Sequence, residues 1–467
     1  MKKIITWSCL IVFTLCLLLP VFSYASTDNQ VYVNVNGQRI YPSTPAFIRN
    51  GRTLVPLRGI FEKLGASVEW NANDRSVTVV YKNTTVYLQI DNNSATVNGA
   101  GKWMDVAPEI DNNSTMIPLR FISESIGMWV QWIPETRAAT VTDPNYFNNQ
   151  TSGTVLGYTT NDYPGDNGSY SSLSKYHQNM TSIAAFSDYF DTSGNLENIG
   201  QSQDNSVALA NTDNIKPLLL VCNYSSGNFD IDLAHAVLSN ASRRAALEQN
   251  ILVALSRGAY SGVNIDIEHI YWYDRQYYTS LVKELKQKLT PYGYLTTLSV
   301  SAKNMESNDN WDGAFDYAQI GQYADQITLM TYDEHNPASD AGPVASQPWV
   351  DSVLSYASSL MPAKKILLGI PGYGYDWSSS GVKALSYSNI ENLIQNNGLQ
   401  AIWDSSSMTP HLSYSSNGVS HNVWFENGQS LSLKLALVNK YGLGGIAIWK
   451  LGYDNDDFWS AIKAVMG

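Results

Sequence analysis

The chain has 467 residues, a length that favours two or three domains over one. Its 44% hydrophobic and 12% aromatic content can form large cores and excludes disorder over most of the chain. The formal net charge of -12 disfavours nucleic acid and anionic membrane surfaces as partners.

Residues 1–25 predict a secretory signal peptide. Lys2 and Lys3 precede an apolar run, and the Ser-Tyr-Ala sequence at 23–25 forms a small-x-small cleavage site. We expect a secreted protein with no membrane span after cleavage, because no stop-transfer pattern follows the apolar run. The other two cysteines lie in this segment, so Cys222 is alone in the mature chain and we expect it to be a buried thiol.

An internal duplication organises residues 26–143. The sequence TLVPLR at 53–58 recurs as TMIPLR at 115–120, and both copies continue with a glycine, a tryptophan, an arginine and a Thr-Val pair at the same spacing. Each copy predicts a strand, a short helix ended by glycine, and a hairpin around Trp70 or Trp132. We therefore predict one small α+β domain made by duplication.

These motifs resemble the copper amine oxidase N-terminal-like (stalk) domain of exported bacterial wall proteins. Residues 26–143 contain no His and no Cys, so they lack ligands for a soft transition metal despite that name. Two roles stay open for this domain: a spacer or folding unit, and contact with the cell wall or the spore surface. Residues 144–153, rich in Asn, Thr, Ser and Gly, predict a linker, and we expect the domain to fold independently.

Residues 154–467 alternate between apolar strands and amphipathic helices, which predicts a parallel α/β fold. Eight candidate strands favour a (β/α)8 TIM barrel with its site at the carboxyl ends of the strands. An open doubly wound sheet is the alternative, but no glycine-rich phosphate loop follows any strand. The long interval between the last two strands predicts a small insertion around 402–425. The predicted strands are 155–158, 183–186, 217–222, 262–268, 295–301, 326–332, 366–370 and 444–449, and the clearest helices are 242–257, 274–289 and 430–441.

The sequence GVNIDIEH at 262–269 carries the strongest chemical signal. Alternation along a strand places Asn264, Asp266 and Glu268 on one face, the face that points into a barrel. Polar groups are costly to bury without purpose, and two neighbouring carboxyl groups push their pKa values apart. The pattern predicts an acid/base site in which Glu268 is protonated near neutral pH and acts as a general acid.

The same segment resembles the D-G-x-D-x-D-x-E signature of family-18 glycoside hydrolases, with Ser261 and Asn264 in place of the first two aspartates. The sequences MTYD at 330–333 and GGIAIW at 444–449 are similar to two further motifs of that family. The resemblance implies a sugar site with an indole floor and a phenol and carboxylate that bind an acetamido group. It implies as catalytic residues Glu268, Asp266 and Tyr332, and as substrate-binding residues Asp333, Trp449, Met330, Tyr158, Asn223 and Asn264.

Residues 325–349 and 422–426 are similar to the branch of this family that contains bacterial spore cortex-lytic N-acetylglucosaminidases; chitinases with a larger α+β insertion fit less well. The resemblance implies a retaining, substrate-assisted glycosidase without metal or cofactor, acting on β-linked N-acetylglucosamine in peptidoglycan, spore cortex or chitin oligomers. His269 and His335 flank the motifs without the spacing of zinc ligands. Two other classes stay open: a catalytically silent carbohydrate-binding barrel, and a structural wall or coat protein.

Overall fold

The computed structural model describes residues 30–146, 153–198 and 202–466. The predicted signal peptide (1–25) and most of the predicted linker (144–153) lie outside the described residues. Among the described residues, no helix combines the length and the apolar character needed to cross a bilayer.

The N-terminal part of the chain has the predicted duplicated α+β organisation. Its helices are α1 (Leu57–Phe61) and α2 (Leu119–Ser125), and a turn separates each helix from the glycine that follows it. Both glycines, Gly65 and Gly127, have positive φ (85° and 82°), which reverses the chain at little cost only without a Cβ. Strands β1 to β13 are, in chain order, Tyr32–Val35, Gln38–Ile40, Phe47–Arg49, Arg52–Pro56, Ser67–Asn71, Ser76–Tyr81, Thr84–Gln89, Ser94–Val97, Ala100–Trp103, Glu109–Asp111, Ser114–Pro118, Trp129–Ile133 and Ala138–Thr142.

Three sheets build this part. Strands β4 and β11, one from each repeat, pair antiparallel at the centre of a sheet ordered β10-β11-β4-β3. The hairpin of the second repeat joins the sheet β12-β13-β1-β2, whereas the hairpin of the first repeat begins the sheet β5-β6-β7-β8-β9. The two copies of the motif therefore stand in different surroundings, because only the first continues into a five-stranded meander.

The C-terminal part is a closed barrel of eight parallel strands. Their order is β14-β29-β23-β22-β21-β20-β17-β15, and pairing of β14 with β15 closes the ring. Cys222, at the end of the third barrel strand, is fully buried among the side chains inside the ring, as predicted for a structural thiol. Strands β14 to β29 are, in chain order, Thr154–Thr159, Ser182–Phe190, Leu196–Asn198, Lys216–Cys222, Tyr224–Ser225, Asn228–Phe229, Gly262–Asp266, Leu295–Ser301, Gln326–Met330, Ile366–Pro371, Tyr373–Ser378, Gly381–Ser386, Ile402–Asp404, Thr409–Ser416, Val419–Trp424 and Gly445–Trp449.

Amphipathic helices cover the outside of the barrel and bury its second, larger apolar layer. The predicted helix 242–257 is one residue longer at each end, at Ala241–Gly258, and the residue that caps it is Ala259, with φ 58°. A Cβ at Gly258 would lie 2.4 Å from the ring of Tyr260, so the glycine is needed for close packing rather than for the cap. Helices α3 to α12 are, in chain order, Gly168–Tyr176, Asp204–Thr212, Ile231–Leu238, Ala241–Gly258, Arg275–Leu289, Tyr317–Tyr323, Gln347–Leu360, Tyr387–Asn397, Gly428–Tyr441 and Asp456–Met466.

The insertion between the seventh and eighth barrel strands is larger than predicted. It begins at Tyr373 rather than near residue 402, and forms a five-stranded antiparallel sheet, ordered β25-β24-β28-β27-β26, with helix α10. It is an α+β insertion, and its predicted start near residue 402 is too late. Strand β24 was missed because its glycines and aromatic residues follow the barrel strand without a polar turn between them.

The fourth and sixth barrel strands, β20 and β22, end two residues before their predicted ends, at Asp266 and Met330. Glu268 and Tyr332 therefore lie in the loops that follow these strands. This difference matters for the site, because strand alternation alone does not orient a side chain in a loop.

The N-terminal part packs directly against the barrel. Asn34 donates a buried hydrogen bond to the hydroxyl of Tyr294 (2.9 Å), and Ile133 is buried in the same apolar layer as the barrel helices. Gly37 and Gly293 meet so closely that a Cβ on Gly37 would lie 2.5 Å from the carbonyl oxygen of Gly293. Separation of the two parts would expose apolar surface and exchange the hydrogen bond between Asn34 and Tyr294 for bonds to water.

Candidate active site

A cleft of about 870 Å³ opens at the carboxyl ends of the barrel strands. This is the end at which a (β/α)8 barrel carries its functional loops. Aromatic rings and carboxylates share the wall of the cleft, a lining suited to a ligand with apolar faces and polar edges. The cleft brings together seven of the nine predicted site residues: Tyr158, Asp266, Glu268, Met330, Tyr332, Asp333 and Trp449.

Two carboxyl groups lie deep in this cleft. Asp266 is 4% exposed, and its Oδ1 is buried without a hydrogen-bond partner among the described residues. Burial raises the pKa of Asp266 to about 7. Burial, and then the negative charges of Asp266 and Asp333, raise the pKa of Glu268 well above its usual value. Within this group, Glu268 is therefore a side chain that can hold a proton at neutral pH.

Asn223 positions the backbone of Glu268. Its Nδ2 donates to the carbonyl oxygens of Glu268 (2.8 Å) and Asp230 (3.0 Å), and its Oδ1 accepts a hydrogen bond from the Glu268 amide (3.0 Å). The Asn223 side chain is fully buried and all three bonds go to backbone groups, so its predicted role in binding substrate is not supported. Since Glu268 stands in a loop, this amide fixes where the acid lies.

Asn264 lies below the cleft inside the barrel, and its predicted contact with substrate is likewise not supported. Its Nδ2 donates to Thr297 Oγ1 (3.1 Å), and its Oδ1 accepts from Ser299 Oγ (2.8 Å). Because this bond uses the single hydroxyl proton of Ser299, the phenol of Tyr158 must be the donor in its 2.7 Å bond to Ser299 Oγ. Asn264 thus orients Tyr158, which does line the cleft.

Asp333 is held by two tyrosines from the insertion. Its Oδ1 accepts hydrogen bonds from Tyr373 (2.6 Å) and Tyr375 (2.9 Å), and its backbone is left-handed with φ 62°. Burial raises the pKa of Asp333, and these two hydrogen bonds partly offset the rise. Neither tyrosine was predicted from the sequence, although aromatic residues at 373, 375 and 377 alternate as they do on one face of a strand.

The ring of Trp449 forms part of the cleft wall at the end of the eighth barrel strand, where a cis peptide joins it to Lys450. Its centroid lies 5.4 Å from that of Tyr158 and 6.2 Å from that of Phe186, both in edge-to-face geometry. These contacts fix the plane of the indole.

Lys450 was also missed by the sequence analysis. Its side chain is almost fully buried at the edge of the cleft, and it donates to Thr160 Oγ1 (2.7 Å) and forms an ion pair with Asp162. A lone lysine carries no sequence signal of such a position. Its charge is matched by the carboxylate of Asp162.

The two histidines beside the motifs have other partners. The ring of His269 stacks on Trp311 with centroids 4.7 Å apart, and Nδ1 of His335 bonds with the carbonyl oxygen of Asp340 (3.0 Å). In the part of the chain that the structure describes, no three His, Cys, Asp or Glu side chains lie close enough together to hold a metal ion.

A closed parallel barrel whose cleft holds a desolvated Asp and Glu pair beside an indole has the architecture of a barrel glycosidase. Residues 154–454 match the family described as Glycosyl hydrolases family 18, and the chain belongs to that family of enzymes. Residues 34–141 match the Copper amine oxidase N-terminal domain, in agreement with the duplicated motif.

Curated relatives and solved structures agree with this assignment. The chain is 33% identical over 321 residues to the "Uncharacterized glycosylase YvbX" of Bacillus subtilis (strain 168), covering 67% of this chain and 91% of that protein. It is 31% identical over 262 residues to the "Cortical fragment-lytic enzyme" of Bacillus anthracis, covering 54% of this chain and 60% of that enzyme.

Two solved structures superpose on the barrel with the same TM-score of 0.63. A chitinase from Chromobacterium violaceum ATCC 12472 is 31% identical and covers 67% of this chain and 99% of its own. The spore cortex-lytic enzyme SleL of Bacillus cereus is 27% identical and covers 66% of this chain and 73% of its own. The backbone is therefore shared equally with both kinds of enzyme.

Proposed function

We propose that this protein is a retaining glycosidase that hydrolyses β-linked N-acetylglucosamine polymers with the help of the substrate's own acetamido group. The observation that carries the proposal is the buried pair of Asp266 and Glu268 at the floor of a cleft walled by Trp449. Burial raises the pKa of both carboxyl groups, which suits one of them to deliver a proton at neutral pH.

In the first step, the acetamido carbonyl oxygen attacks C1 of the sugar while Glu268 gives its proton to the leaving oxygen. Family-18 enzymes are exceptions to the two-carboxylate scheme, because the substrate supplies the nucleophile. Asp266 accepts a hydrogen bond from the acetamido N–H and stabilises the positive charge that develops on the cyclised sugar. The phenol of Tyr332 donates to the acetamido carbonyl oxygen; burial raises its pKa well above the ordinary value and keeps it protonated.

In the second step, Glu268 is ionised and takes a proton from water as that water attacks C1. The ring of the cyclised intermediate opens, and the configuration at C1 is retained after two inversions. Trp449 stacks on the apolar face of the sugar, while Asp333, Met330 and Tyr158 complete the walls that orient it. Asp333 is suited to binding rather than attack, because two phenols occupy its Oδ1.

A comparison of aryl glycosides tests this mechanism. We expect release of the chromophore from aryl glycosides of N-acetylglucosamine or its β-1,4-linked dimer, negligible release when hydroxyl replaces the 2-acetamido group, and inhibition by a thiazoline mimic of the intermediate. Comparable rates with both sugars, or a covalent sugar trapped on a side chain, would contradict substrate assistance. Digestion of chitin oligomers and spore cortex, followed by mass spectrometry, then distinguishes the polymers.

The proposed site of action is outside the cell, at the cell wall or the spore. Support comes from the predicted signal sequence at residues 1–25 and from relatives named as cortex-lytic enzymes. Recovery of the protein from the medium or wall fraction with Ser26 as its first residue is the expected result. A protein that keeps residues 1–25 in the membrane fraction would contradict export by cleavage.

A further inference from the structure

A second cleft, of about 600 Å³, lies in the N-terminal part of the chain. It is bounded by helix α2 and strand β12 of the second repeat, by β4, and by β9 with the loop that follows it. We call it the repeat cleft. Its lining combines aromatic rings with charged side chains, and the members used below are Trp103, Trp132, Phe121, Arg52, Arg120, Asp105 and Glu124.

One aromatic side chain of the repeat cleft, that of Trp103, is unusually accessible, and the others are partly exposed. Trp103 is 71% exposed at the end of the edge strand β9, and Trp132 is half-buried on β12. A large indole left in water forgoes the stabilisation that burial of its apolar surface would give. In a concave site, an exposed indole beside a second ring offers a flat apolar face to a ligand.

The charges in the repeat cleft balance one another. Arg52 Nε donates to Asp105 Oδ2 (2.7 Å), and Arg120 donates to Glu124 Oε1 across one helical turn (3.1 Å). Two cations and two anions give the cleft no net charge, which favours a neutral ligand. The guanidinium and carboxylate groups keep further donors and acceptors, so they can hydrogen-bond hydroxyl and amide groups.

The duplication provides an internal comparison. The pair Arg58–Glu62 of the first repeat matches Arg120–Glu124 of the second, so the ion pair belongs to the repeat itself. Trp70 is the counterpart of Trp132, but it lies on the edge strand β5 and outside the cleft. The second repeat also has Phe121 at the position where the first repeat has Gly59. Phe121 lines the repeat cleft together with Trp103, whereas Gly59 does not.

We propose that the repeat cleft binds an uncharged stretch of a β-linked N-acetylhexosamine polymer, with Trp103 and Trp132 stacked on its sugar rings. Pyranose rings present apolar faces to indoles and polar edges to paired charges, which is the combination that this cleft offers. The identity of the polymer rests on the function proposed for the barrel, whereas the stacking site does not. The repeat cleft would thus hold polymer beside the enzyme independently of catalysis.

The test uses the full chain with Glu268→Gln, so that hydrolysis does not change the ligand during the measurement. Binding to insoluble chitin and to purified peptidoglycan is compared for Trp103→Ala and for its control, Trp70→Ala. Both tryptophans stand on edge strands of the same five-stranded sheet and are exposed. We expect about tenfold weaker binding for Trp103→Ala, the scale of one lost aromatic contact, and unchanged binding for Trp70→Ala.

Two further readouts separate this proposal from that for the barrel. In the otherwise wild-type chain, Trp103→Ala should leave hydrolysis of a small aryl glycoside and the thermal midpoint unchanged. Absence of hydrolysis in every variant would refute the barrel's proposed function without touching the polymer-binding result. Equal polymer binding by Trp103→Ala and Trp70→Ala would overturn the repeat-cleft proposal, and so would a change of oligomeric state specific to Trp103→Ala, which would indicate a self-interface.

Discussion

The two clefts of this molecule use charge in opposite ways. In the barrel cleft, Asp266, Glu268 and Asp333 are drawn together under aromatic walls, and burial raises the pKa of each. In the repeat cleft, each carboxylate stands beside an arginine at the surface. Reaction chemistry needs desolvated carboxyl groups whose protons can move, whereas recognition of a neutral ligand needs only fixed donors and acceptors.

The largest expected effect falls on the barrel cleft alone. Glu268→Gln should lower turnover at least roughly a hundredfold, the scale of losing a general acid, and leave polymer binding by the repeat cleft intact. Steady-state hydrolysis of an aryl glycoside measures the first and a polymer pull-down the second. Glu197→Gln is the control, since Glu197 lies on the surface strand β16 and bonds to Tyr189. Near-wild-type turnover of Glu268→Gln would remove Glu268 from the mechanism.

The second prediction tests whether Asn223 holds Glu268 in position. Asn223→Asp replaces a donor to two carbonyl oxygens by an acceptor, so it should displace the loop that carries Glu268. We expect about a tenfold or larger loss of kcat with little change in KM. Asn211→Asp is the matched control, because its amide also donates to two backbone carbonyl oxygens but lies away from the cleft. Equal kinetic losses in both variants would indicate general destabilisation instead.

The raised pKa of Asp266 predicts a pH-dependent stability. The folded protein holds a proton on Asp266 up to about pH 7, whereas the unfolded chain loses it near the ordinary value of 3.8. The folded state thus binds more protons between these values, and stability falls as pH rises from about 4 to 7. Urea unfolding at pH 5 and pH 8 should show a smaller loss for Asp266→Asn than for the wild type. Parallel losses in the two proteins would show that Asp266 is ionised in the folded state at pH 5.

The last prediction concerns the contact between the N-terminal part and the barrel, where we expect a change in stability and no change in activity. A side chain in Gly37→Val would collide with the carbonyl oxygen of Gly293. Gly99→Val is the control, because Gly99 has nearly the same φ (80° against 77°) and nothing within 4 Å of its Cβ position. We expect Gly37→Val to cost about 1 to 3 kcal/mol more than Gly99→Val in calorimetric unfolding.

Hydrolysis of a small aryl glycoside should stay the same in both glycine variants, because neither site touches the barrel cleft. If chains divided near Thr151 fold separately with full stability, the buried contact between Asn34 and Tyr294 contributes little and the two parts are independent. Loss of hydrolysis by the isolated barrel would show the opposite, that the parts depend on one another.

Sequence patterns predicted the fold wherever one periodic signal determines one element. The eight barrel strands and the duplicated unit follow from such local patterns, and so does the placement of Asp266 on the fourth barrel strand. The same reasoning placed Glu268 within the strand, which in fact ends two residues earlier. The alternation of residues along a strand does not show where its hydrogen bonds to the neighbouring strands end.

The missed site residues share a different cause. Tyr373 and Tyr375 reach Asp333 across about forty positions of the chain. Such contacts depend on strand register and on the path of the insertion, neither of which leaves a repeat or motif. Asn223 and Asn264 were predicted to bind substrate, and only the hydrogen-bond geometry shows that they hold other residues in position; Asn223 contacts Glu268 across 45 positions of the chain.

The bond network of Asn223 has a consequence for engineering by loop exchange. The loop that carries Glu268 is tied to the end of a different strand, so the acid's location is a joint property of two βα units. If the loop after the fourth strand were grafted into another barrel, Glu268 would therefore be transferred without the hydrogen bonds that hold it in position. A transplant that keeps the position of Glu268 would have to move the third and fourth βα units together.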